Sequence, residues 1–99
     1  MSNIDWSRLI TKEMKEAQKN AALRAEKAIV EDLWRNSEIS VIANQLMAIE
    51  EAEASGEEVP DLLPGTRTQW LSYRTKVRAW KEGNIDFPDS TRRPLRPGG

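Results

Sequence analysis

From Met1 to Ser55 the chain contains no glycine and no proline. Those are the two residues that most readily interrupt a helix. Ala, Glu, Lys, Gln, Arg and Leu dominate the stretch, and these are the strongest helix formers. A segment of this kind folds as one long helix, or as two helices meeting at a polar junction. Asp5 can cap a turn through Trp6, Ser7, Arg8 and Leu9, and Thr11 is a second cap candidate before Lys12, Glu13 and Met14.

The apolar pattern divides this stretch in two. From Thr11 to about Trp34 the apolar positions are mostly alanines: Ala17, Ala21, Ala22, Ala25 and Ala28, with Leu23, Ile29 and Leu33 as larger exceptions. An alanine stripe buries little area, so this part is expected to be partly solvated or to pack closely on another helix, including one from a second copy. After Asn36 and Ser37, where one helix can end and another begin, Ile39, Ile42, Leu46 and Ile49 recur at spacings of three, four and three. If unbroken, the helix is a rod of roughly 60 Å at 1.5 Å per residue.

Gly56, Pro60, Pro64 and Gly65 mark residues 55–65 as a connection, with Leu62 and Leu63 as a small apolar plug. Thr66 and Gln69 have the spacing of a capping box that opens a second helix. Trp70, Tyr73, Val77 and Trp80 repeat the spacings of three, four and three, and Gly83 is a suitable stop. The matching patterns predict an antiparallel hairpin, with Ile39, Ile42, Leu46 and Ile49 against Trp70, Tyr73, Val77 and Trp80. Residues 84–99 hold Pro88, Pro94 and Pro97 with Arg92, Arg93 and Arg96, which predicts an extended, polyproline-like tail. The expected fold is therefore all-α. It has a helical arm at residues 1–36, a hairpin at 37–83 and an extended Pro/Arg-rich tail at 84–99.

Composition excludes several kinds of function. No cysteine and no histidine occurs, so thiolate catalysis, disulfides and His/Cys metal sites are ruled out, and the commonest general base is missing. Glu50, Glu51, Glu53, Glu57, Glu58 and Asp61 run along a helix end and a loop without the order of a calcium loop, and read as a solvated acidic surface. No catalytic residue, metal site or cofactor is expected, and the chain is not expected to be an enzyme. Fifteen basic and sixteen acidic residues give a net charge of −1, which implies no general affinity for nucleic acid. Arg67, Arg74, Lys76, Arg78 and Lys81 alternate with Trp70, Tyr73 and Trp80, a mixture that nucleic-acid binders also use. The acidic neighbouring loop favours a core face plus protein contact instead. No apolar run approaches the roughly 20 residues that span a bilayer, and the expected location is the cytoplasm. Four tryptophans in so polar a chain serve either as core or as interface anchors.

Several segments, in order, resemble the bacteriophage tail (fibre) assembly chaperone family. They are Trp34 to Ile39, Pro64 to Thr66, Gln69 to Arg74 (Gln-Trp-Leu-Ser-Tyr-Arg), Val77 to Trp80, Asp86 to Pro88 (Asp-Phe-Pro) and Arg93 to Pro97 (Arg-Pro-Leu-Arg-Pro). The opening, Ile4-Asp5-Trp6-Ser7, looks like the start of other small phage tail proteins, while the alanine-rich arm is less family-like. The resemblance implies a protein that binds a phage tail or tail-fibre protein during virion assembly in the host cytoplasm. It implies no cofactor. Carried over, Trp70, Tyr73, Arg74, Arg78, Trp80, Phe87 and Pro88 are the family positions. With Arg93 and Pro94 of the tail, they are the candidate partner-binding residues, whether they build the hairpin or touch the client. The arm is a place where two copies can pair. A structural tail component and a small nucleic-acid-binding regulator are the alternative readings.

Overall fold

The computed structural model describes the backbone of residues 6–98 and the side chains of residues 12–98. The cap expected at Asp5 and the turn side chains from Trp6 to Leu9 lie outside the described residues, and Thr11 does not cap a helix, because its backbone is already inside one. Among the described residues, two α-helices and one 3₁₀ turn form the regular structure: α1, Trp6–Ser55; α2, Arg67–Arg78; and Ser90–Arg92. The fold is all-helical, with the shorter α2 packed against the long α1, and the molecule measures 86 × 18 × 17 Å.

α1 is unbroken over 50 residues. Neither Asn36 nor Ser37 ends it. The Ser40 hydroxyl donates to the Asn36 carbonyl at 3.3 Å, a bond within the helix rather than a cap. The helix stops at Gly56, which takes a left-handed conformation (φ 68°) and donates its N–H to Ala52 O at 2.9 Å. The change in surroundings comes at Glu31 rather than after residue 36. Lys12 to Lys27 are exposed all round, whereas Glu31 onward is intermittently buried. The bare segment can stay helical because the packed half supplies the nucleus. Adding residues to an existing helix avoids the unfavourable nucleation step.

The hairpin core consists of Ile42, Ile49, Trp70, Tyr73 and Val77, with Trp34, Ile39 and Leu46 against it. Trp70 and Tyr73 meet edge to face at 5.8 Å between centroids. The Thr66–Gln69 capping box is formed: Gln69 N–H donates to Thr66 Oγ1 at 3.2 Å and Thr66 N–H to Gln69 Oε1 at 2.8 Å. Gly65, at φ 123°, sits so close to Trp70 and Pro97 that an added Cβ would lie 2.8 Å from Trp70 Nε1 and 2.7 Å from Pro97 Cβ.

Three expectations change in detail. α2 ends at Arg78 with Ala79 as its C-cap, ahead of the stop expected at Gly83. Trp80 N–H bonds back to Val77 O at 3.0 Å, and Arg35 Nη1 donates to Trp80 O at 2.9 Å, so an arginine of α1 takes a carbonyl at the helix end. Leu62 and Leu63 do not plug the connection, because both stay exposed. Buried Gln45 holds that loop instead, through its backbone. Its Nε2 donates to Asp61 O at 3.0 Å, and Leu63 N–H donates to its Oε1 at 2.8 Å. The tail is extended only over residues 93–96, where Arg93 has polyproline-like values of φ −56° and ψ 145°, and it turns again at residues 97–98. Before that, residues 84–92 fold into turns. Asn84 Oδ1 accepts Asp86 N–H and Asp89 Oδ1 accepts Thr91 N–H, and the Phe87–Pro88 peptide is cis.

Candidate protein-binding site

Three polar side chains of α1 lie in the buried face: Glu31, Glu38 and Gln45. Their spacing of seven residues places them nearly in line along the helix, among the isoleucines. Glu31 is 1% exposed and Glu38 is 4% exposed, so both charges need partners. Each receives two. Trp80 Nε1 donates to Glu31 Oε1 at 3.1 Å, and Arg93 grips the same carboxylate at 2.5 and 2.6 Å. Tyr73 Oη donates to Glu38 Oε1 at 2.8 Å, and Arg96 grips that carboxylate at 2.5 and 2.9 Å. Each unit thus joins an acid of α1, an aromatic donor from the α2 segment and an arginine of the tail. Because the α2 segment runs antiparallel to α1, residues 80 and 73 fall opposite 31 and 38. The fork-on-fork pairing is the strong, directional form of an ion pair.

The electrostatics follow from these contacts. The Arg93 guanidinium holds the Glu31 carboxyl below the usual carboxylate range, working against burial, and Trp80 adds to the effect. Arg96 does the same for Glu38, aided by the Tyr73 hydroxyl. Burial first, and the Glu38 carboxylate second, push the Tyr73 phenol well above its ordinary value. Tyr73 is therefore held protonated as a donor. Around the first unit, Arg93 lies 4.8 Å over the Trp34 ring and Trp80 meets Phe87 edge to face at 5.7 Å.

The candidate residues named from sequence separate into two groups. Trp70, Tyr73, Trp80 and Phe87 are buried, and Pro88, Arg93 and Pro94 are half-buried in the strapped tail. Arg74 is half-buried and Arg78 exposed. With Arg67, which pairs with Glu50 at 3.6 Å, they share the side of α2 away from the tail. The tail side of α2 borders a groove of about 370 Å³ lined by Thr68, Gln69, Ser72, Tyr73, Lys76, Leu95 and Pro97. Among the described residues no three acidic side chains converge as a metal site, and residues 50, 51, 53, 57, 58 and 61 are all exposed.

Sequence reasoning missed Glu31, Glu38 and Gln45. Their signal was a heptad-spaced polar line inside an apolar stripe, matched by Tyr73 and Trp80 seven apart and by two arginines three apart. The surface left open on α1 is apolar in places: Leu23, Ile29, Val30 and Leu33 are exposed, Leu33 at 65%. No helix among the described residues is long and apolar enough to cross a membrane. Comparison with family models, curated proteins and solved structures finds no match.

Proposed function

We propose that this chain is a binding protein without catalytic activity that acts as an assembly chaperone for a phage tail or tail-fibre protein. The observation that carries the binding role is the exposed apolar set Leu23, Ile29, Val30 and Leu33, which spans the junction between the bare and packed halves of α1. Exposed apolar side chains grouped on one element favour a protein partner. The choice of client rests on the resemblance of the Trp34–Pro97 segments to tail assembly chaperones. In this reading Trp70, Tyr73, Trp80 and Phe87 build the scaffold, since all four are buried. Contact with the client falls to the arm of α1, and Arg74 and Arg78 supply charged contacts at the rim. Covering an apolar surface of an unassembled tail protein prevents its premature association.

Co-expression with the tail-fibre protein encoded nearest to it tests this reading. The expected result is a soluble client that co-purifies, and loss of the complex in an Ile29→Asp, Leu33→Asp variant that keeps its helicity. A client that folds unaided and never co-purifies would remove the chaperone role for that client.

A further inference from the structure

We propose that the groove of Glu31 and Glu38, which Arg93 and Arg96 of the tail now fill, is a recognition site for an extended segment with two arginines three residues apart, which a partner can fill in place of Arg93–Pro97. The spacing is the first argument. Seven helical residues separate Glu31 from Glu38, about 10.5 Å along the axis. Three polyproline residues span about 9.3 Å, and Arg93 already has that backbone. A second pair of arginines in the same conformation meets both carboxylates in register.

The chemistry of the acceptors is the second argument. Each carboxylate offers both oxygens, and each is pre-oriented by a donor that does not belong to the Arg93–Pro97 segment, Trp80 Nε1 for Glu31 and Tyr73 Oη for Glu38. A planar guanidinium fits that arrangement with two parallel bonds, and an ammonium does not. Trp34 supplies a ring face for the first arginine. An empty groove would hold two uncompensated carboxylates, so it selects a dicationic segment.

The tail is also open to solvent. The arginine side chains remain 29% and 47% exposed, and Leu95 between them is 83% exposed. The site reads the two guanidinium groups and an extended backbone, and leaves the residue at Leu95 unread. Release of the tail opens the core only where Pro97 covers Gly65 and Trp70. The tail nonetheless competes as a tethered ligand, at an effective concentration in the millimolar range. The intact chain therefore resists weak partners and yields to one that offers further contacts.

The test uses the full chain carrying Arg93→Ala and Arg96→Ala, with a fluorescein-labelled synthetic peptide of the Asp89–Gly99 sequence as probe. Anisotropy should show saturable binding to the variant and at least tenfold weaker binding to the intact chain. A peptide with both arginines replaced by lysine, and a variant that also carries Glu38→Gln, should each bind at least tenfold more weakly. Absence of binding to a variant that keeps its helical circular dichroism, or equal binding of the lysine peptide, would overturn the proposal. If the double variant unfolds, the intact chain is titrated with unlabelled peptide while the Leu95 amide resonance is followed. A shift towards the position of a free tail is expected, and no shift at millimolar peptide would overturn the proposal. The mass of the intact chain across concentration identifies the source of the segment. A dimer that Glu38→Gln abolishes would make a second copy's tail the occupant and overturn the assignment to a different partner.

Discussion

The two halves of α1 share one backbone and one rotation of the helix, yet only one of them is covered. From Glu31 to Ala52 the inward face carries Ile39, Ile42, Leu46 and Ile49 with Glu31, Glu38 and Gln45, and it holds α2, the loop and the tail. From Lys12 to Lys27 the same face carries Ala17 and Ala21, and the only ion pair that reaches beyond α1 is the exposed Arg24–Glu82 contact at 2.7 Å, among the described residues. Both halves are helical by propensity. What separates them is side-chain volume and buried charge, because alanine offers too little area to hold a second layer.

Trp70→Ala should have the largest effect on the packed half. Trp70 is fully buried under Gly65 and Pro97, and its removal should cost about 3–5 kcal/mol. Chemical denaturation followed by far-UV circular dichroism should then show the packed half losing its cooperative transition. Arg93→Ala comes next. It leaves Glu31 buried with Trp80 alone and removes the stacking on Trp34, which should cost about 3 kcal/mol, the low end for breaking a buried pair.

Arg96→Ala sharpens the comparison within the tail. Arg96 is nearly half exposed, so solvent screens its bond to Glu38 and the loss should be about 1–2 kcal/mol. The order Arg93 before Arg96 is itself the test, read from midpoints in one denaturant series. Acid should act on both units together. The native carboxyls of Glu31 and Glu38 are depressed, so their stabilisation is fully present above the unfolded value of about 4.3 and is lost as pH falls below it towards the native values. A stability–pH curve that stays flat below 4 would contradict the arrangement. Alkali works through the single tyrosine. The native Tyr73 phenol is raised, so stability declines as pH rises past its unfolded value of about 10, with no phenolate absorbance until the chain unfolds. The smallest effect belongs to the arm: Leu23→Ala should change stability by less than about 0.5 kcal/mol.

Much of this fold was legible in the sequence. The missing breakers before Gly56, the spacings from Ile39 to Ile49 and from Trp70 to Trp80, and the Thr66–Gln69 cap are local signals, and each marks an element the structure contains. The polar line was not legible in the same way. Glu31 and Glu38 look like any exposed glutamate of a charged helix until α2 brings Trp80 and Tyr73 over them, 49 and 35 residues away in the chain. The tail raised the same difficulty. Its prolines announced an extended segment, but what it straps depends on carboxylates 62 and 58 residues earlier.

Amide hydrogen exchange along the intact chain tests the central claim most directly, that α1 is one helix with a strapped half and a bare half. Slow exchange is expected from Glu31 to Ala52 and from Trp70 to Trp80, with fast exchange from Lys12 to Lys27. Uniform protection along α1 would contradict it.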